Sequence, residues 1–138
     1  MICTFFGHRD APPSLFEEIK KAILKELKGR DCEFLVGNNG AFDYMVQMAL
    51  WELKNSGYNI KIKVVLSHIC ERAISEKQEL TVFPEELAYV PKRLAILKRN
   101  DYLIKSSSVA IVYERYNASN THKQVIKAQK RGLRIIKL

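Results

Sequence analysis

Long apolar runs are absent from this sequence. A membrane-crossing helix needs about 20 consecutive, predominantly apolar residues, and none of the 138 positions opens such a stretch. No membrane partner is therefore expected. The opening Met1-Ile2-Cys3-Thr4-Phe5-Phe6 is too short for a signal peptide and lacks a basic start, so it is read as a strand. Cysteine is scarce. Cys3, Cys32 and Cys70 are odd in number, and no two have metal-ligand spacing. Cys3 and Cys32 sit in or beside apolar runs, where a small buried thiol is the plain reading. A reducing compartment, the cytoplasm, is expected. Internal repeats and low-complexity segments are missing, which excludes solenoids and arrays. Acidic residues are nearly missing after residue 86. Only Asp101 and Glu114 remain there, against 12 Lys and Arg, while residues 1–86 carry 13 acidic and 11 basic residues. A basic half attracts phosphates, on a small nucleotide or on a nucleic acid. Lys127, Lys130 and Arg131 also suit the end of a helix, where cations meet the dipole.

What is present describes one core. Hydrophobic residues make up 47% of the chain, enough for one domain over 1–138. Ile2–Phe6 reads as a first strand ending at Gly7. Ser14 and Glu17 form a capping-box pattern, followed by Phe16, Ile19, Ile23 and Leu27 at helical spacing and a stop at Gly29. Glu33–Val36 is a second strand. Phe42, Met45, Val46, Ala49, Leu50 and Leu53 mark the next helix, and Gly57 ends it. Ile60–Leu66 is a third strand. Ser67 to Glu79 is polar, with at most a helical turn, and Thr81–Pro84 reads as a loop. Leu94, Ile96, Leu97, Leu103 and Ile104 fit a helix from Lys92 to about Ser106. Val109–Tyr113 is a fourth strand, Thr121–Arg131 a last helix, and Leu133–Leu138 a fifth strand.

Alternating strand and helix predict a three-layer, Rossmann-like α/β fold with a mainly parallel sheet. Right-handed crossovers predict the strand order 3-2-1-4-5. Chain direction reverses between strands 1 and 4. A crevice opens there at the carboxyl ends, the place where open α/β sheets bind ligands.

Three loops meet at that crevice. Gly7-His8-Arg9-Asp10 offers a tight backbone turn, a guanidinium fork suited to phosphate and an imidazole that can relay a proton. Its structural reading is a polar turn in which Arg9 and Asp10 satisfy each other. Gly37-Asn38-Asn39-Gly40, followed by Asp43, exposes backbone N–H groups at a helix start, an anion or ribose site. Asp43 would accept from ribose hydroxyls, or simply cap its helix. The loop is not GxGxxG, so no dinucleotide site is indicated. Ser119-Asn120-Thr121 would cap the last helix, or share that cap with phosphate oxygens. Arg99 and Asn100 sit on the helix before the fourth strand, where Arg99 would reach the crevice or stand as a surface cation. His8, His68 and His122 fall on this side too, but nothing in their spacing defines a metal geometry. No metal and no cofactor are expected.

These segments, Thr4 to Asp10, Val36 to Asp43 and Leu94 to Asn100, resemble the SLOG superfamily. It includes the Smf/DprA DNA-processing proteins, the Lonely Guy phosphoribohydrolases and small stand-alone bacterial proteins. The likeness is greatest to the stand-alone group and covers nearly the whole chain. It implies a Rossmann-like fold with a nucleotide-derived ligand at the three loops. Relatives of this kind often pair through helices, so a homodimer is the assembly the resemblance suggests. Enzymatic relatives carry Gly-Gly-x-Gly-Thr-x-x-Glu after strand 4, with that Glu and an upstream Arg serving N-glycosidic cleavage. Arg99 fits the Arg. The loop here reads Ser119-Asn120-Thr121-His122-Lys123-Gln124, which sets a neutral amide in the place of the acid.

The foremost expectation is a sensor or metabolite-binding module for a nucleotide-derived small molecule. Gly37–Gly40, Arg9 and Arg99 would hold phosphate, and Asn38 and Asp43 the sugar. Arg9 or Asp43 replaced by Ala should then lose the ligand at little cost in stability. The alternative is hydrolysis of an N-glycosidic bond in nucleotides, with His8 or Asp10 supplying the missing acid or base. A second alternative is nucleic-acid binding through the basic half. Against it, Tyr102, Tyr113 and Tyr116 are scattered and build no stacking platform.

Overall fold

The computed structural model describes residues 1–28, 30–67, 81–117 and 119–138. The helix stop at Gly29, His68, Cys70 and the polar stretch 68–80 lie outside the described residues. Six parallel strands form one sheet: β1 (Ile2–Gly7), β2 (Cys32–Val36), β3 (Ile60–Val65), β4 (Thr81–Val82), β5 (Val109–Tyr113) and β6 (Arg134–Lys137). Their order is β4-β3-β2-β1-β5-β6. The expected order of five strands is therefore present, with β5 and β6 as the fourth and fifth.

The sixth strand corrects the sequence reading. Thr81 and Val82, read as loop, pair with Val64 and Val65 at the sheet edge. Two residues are too few to show a strand's alternation, so only the partner defines them.

β1 sits at the centre, paired to β2 through Cys3 and Phe34 and to β5 through Phe5 and Ile111. Its side chains are buried on both faces, which is why it reads as one apolar run. Helices α1 (Leu15–Leu27) and α2 (Gly40–Asn55) cover one face, packed over Phe5, Phe34 and Ile111. Helices α3 (Lys92–Ser106) and α4 (Asn120–Lys130) cover the other, over Phe6, Leu35, Ala110 and Val112. A 3-10 turn, Glu85–Leu87, leads to α3.

Two local expectations fail. Ser14 precedes α1, but its side chain makes no cap hydrogen bond; Glu17 instead lies 3.9 Å from Lys20. In α3 the buried stripe is Ala95, Arg99, Leu103 and Ile104, while Leu94, Ile96 and Leu97 are exposed. Arg99 occupies a position that spacing alone assigns to an apolar side chain.

Among the described residues no helix is long and apolar enough to cross a membrane.

Candidate functional site

The sheet's switch point lies between β1 and β5, and a crevice opens at their carboxyl ends. It encloses about 130 Å³. Phe5, Phe6, Ile96 and Leu103 form its apolar walls. Gly7, Arg9, Asn39, Asp43, Arg99, Asn100, Asn120 and Thr121 complete it, together with Gln124. Arg9, the 37–43 turn and the start of α4 thus meet at one place. A larger hollow of about 370 Å³ lies at the opposite edge, among Met1, Asp31, Asn59 and Lys61. None of the buried, unpartnered polar side chains of the described residues lines it.

Arg99 anchors the crevice. It is 3% exposed, and each of its nitrogens faces an oxygen. Nε donates to Asn100 Oδ1 at 3.0 Å, and Nη1 donates to Val65 O at 3.2 Å and Asn38 Oδ1 at 3.5 Å. Nη2 lies 4.0 Å from Asp43 Oδ2. Burial pulls the Arg99 guanidinium below its ordinary value, and Asp43 opposes that shift.

Burial also pushes the Asp43 carboxyl above the usual aspartate value. Arg99, the Asn39 N–H and Arg9 pull the other way, in that order. The Asn39 N–H donates to Asp43 Oδ2 at 3.0 Å, so Asp43 reaches back to the residue that opens α2. Asp43 is thus occupied by protein groups. Its replacement by Ala would strand Arg99, which corrects the expectation that this change spares stability.

The glycines answer to packing. A Cβ on Gly7 would run into the Phe42 ring. A Cβ on Gly37 would stand 2.5 Å from both Arg99 Nη1 and Asp43 Oδ2. Gly40 has φ +89°, a left-handed conformation that starts α2 beside Arg9. The Ala41 N–H donates to Arg9 O at 3.0 Å and ties the first loop to the second. Gln47 Nε2 donates to Gly37 O at 2.8 Å and fixes the turn from α2.

Other predicted residues lie off the crevice lining. His8 is buried against Tyr116, ring centroids 3.8 Å apart and stacked. Its Nε2 accepts from the Arg115 N–H at 2.8 Å, so that nitrogen holds no proton. Asp10 faces Tyr116 rather than Arg9, with the phenol donating to Oδ1 at 3.5 Å. Ser119 accepts from the His122 N–H at 3.1 Å and caps α4. His122 Nδ1 lies 3.0 Å from Glu114 Oε1. Gly37, Asn38 and Gly40 belong to the turn but are not on the crevice lining.

Arg9 differs from all of these. It is exposed, lines the crevice and makes no ion pair among the described residues.

Gln124 is the residue sequence reasoning did not place in the site. It is 2% exposed, in the second turn of α4, and lines the crevice. The available signal was the amide standing where enzymes of the family the sequence resembles carry an acid.

No protein-family model and no curated protein matches the chain. Among solved structures it is similar to DNA processing protein A (DprA) from Streptococcus pneumoniae, with a TM-score of 0.70 and 16% identity. The match covers 98% of this chain and 49% of that one, so the chain spans about half the length of DprA. Strand order, the crevice at the switch point and this likeness agree that the chain has a Rossmann-like α/β fold shared with that structure.

Proposed function

We propose that the crevice binds a nucleotide-derived small molecule and that the chain acts as a binding module. The observation that carries this reading is the convergence of three separate loops on one pocket holding an exposed arginine that makes no ion pair among the described residues. Arg9 offers a planar fork of donors to a phosphate. Arg99, buried and already bonded, adds fixed positive charge beneath it. Asn39, Asn100, Asn120 and Thr121 supply neutral donors and acceptors for a sugar.

Hydrolysis of an N-glycosidic bond finds less support. Asp43 is the sole carboxylate on the lining among the described residues, and it faces Arg99 and the Asn39 amide. His8 and Asp10, the other candidates, do not reach the lining.

Isothermal titration of the whole chain with ribose 5-phosphate and AMP tests the binding reading. Both should bind, and Arg9→Ala should weaken both at least tenfold without moving the thermal midpoint. Absence of binding by either compound rejects it.

A second reading, contact with nucleic acid, is favoured by the fold shared with a DNA-processing protein and by the basic second half. Its signature is an affinity for oligodeoxynucleotides that falls steeply with salt. Tyr113 is buried and offers no face for bases, while Tyr116 stacks one face on His8 and is half-exposed, a lone ring rather than a stacking platform.

A further inference from the structure

Gln124 is almost wholly buried, yet among the described residues neither its Nε2 nor its Oε1 has a hydrogen-bond partner. Asn39 Nδ2, on the same lining, is buried and unpartnered as well. Unpaired buried amides are costly, so two of them on one cavity indicate a missing partner. Phe5, Phe6, Ile96 and Leu103 line the same cavity.

We infer that the inner part of the crevice receives the base of a nucleotide and that the Gln124 carboxamide reads its edge. This rests on the nucleotide reading above and adds which end of the ligand goes in. A phosphate takes donors only. Beside Gln124 it would leave Oε1 unpaired and place an anion against apolar walls. A carboxamide instead presents donor and acceptor side by side. It pairs two-fold with a base that carries an amino group beside a ring nitrogen, as adenine does. The apolar walls suit the faces of such a ring. The phosphate then remains at exposed Arg9. Size agrees. At about 130 Å³ the crevice lies well below the roughly 300–1,000 Å³ of sites that enclose drug-sized ligands. It accepts one heterocycle rather than a dinucleotide.

Calorimetric titration of the whole chain with AMP and with ribose 5-phosphate separates the possibilities. AMP should bind about 10- to 100-fold more tightly than ribose 5-phosphate. Gln124→Met keeps the side chain's length and removes both polar atoms. It should lower AMP affinity to the ribose 5-phosphate level, leave ribose 5-phosphate unchanged, and hold or raise the midpoint of the free protein. Gln124→Leu, which also removes both polar atoms and adds no charge, should show the same selective loss. Equal loss for both compounds would mean that Gln124 holds phosphate and overturns the inference. So does an AMP preference that survives both variants, or a Gln124→Met protein that melts early with its preference intact. These three results leave the nucleotide reading standing. If the unmodified chain binds neither compound, both readings fall together.

Discussion

Two arginine–carboxylate pairs stand at opposite edges of the same sheet and are built differently. At the amino edge, Arg134 at the start of β6 donates directly to Glu26 at the end of α1, and Arg30 lies 3.9 Å from the same oxygen. Glu26 is buried there, but Arg134 is 53% exposed. At the carboxyl edge, Arg99 and Asp43 are both shielded, yet they stand 4.0 Å apart and spend their remaining hydrogen bonds on Asn100, the Val65 carbonyl at the end of β3 and the Asn39 N–H. The first pair closes an edge. The second holds a cavity open. Three of the four residues with buried, unpartnered side-chain atoms among those described, Asn39, Glu114 and Gln124, lie at the carboxyl edge; Ser107 lies at the other. Polar groups there are arranged for something besides each other.

The largest break in that comparison is Arg99→Met. It leaves Asp43 buried without its cation, so denaturant unfolding should show a loss of about 3–5 kcal/mol. A loss under 1 kcal/mol would mean the pair does not hold the 37–43 turn. Arg134→Ala at the amino edge should cost only about 1 kcal/mol, because that arginine is half in water and Arg30 remains nearby. Equal losses for the two variants would erase the distinction between the edges.

The smallest effect is a slope. Asp43 has a raised value in the folded protein, so the fold binds its proton more readily than the unfolded chain does. Its contribution is present below the ordinary value of 3.8 and is lost as pH rises through the raised value. Unfolding free energy measured over that window should therefore carry a descending component that Asp43→Asn removes. Arg99→Met should steepen it, since the cation that opposes the shift is gone. An unchanged slope in Asp43→Asn would show that another group titrates.

Much of this is legible in the sequence. Gly7, Gly37 and Gly40 marked the loops, and each stands where a side chain would collide or φ is positive. The reason differs from the one expected: Phe42, Arg99 and Arg9 fill the space, so these glycines admit the protein's own groups. Arg99 was legible as a site candidate but not as a buried residue. Leu94, Ile96 and Leu97 pull the apparent apolar face of α3 away from the stripe it buries. His8 misled for a related reason. A histidine after a strand can face the crevice or the loop behind it, and contact with Tyr116 and the Arg115 N–H decides between them.

The chain by itself determined the alternation of strand and helix, the handed order of the central strands and the edge where loops converge. Those follow from local periodicity and from the right-handed crossover, which need no long-range partner. Tertiary structure alone decided the Thr81–Val82 edge strand, the burial of Arg99 over Asp43 and the entry of Gln124 into the cavity. Each depends on atoms many residues distant, and a side chain's partner is set by packing rather than by its neighbours in sequence.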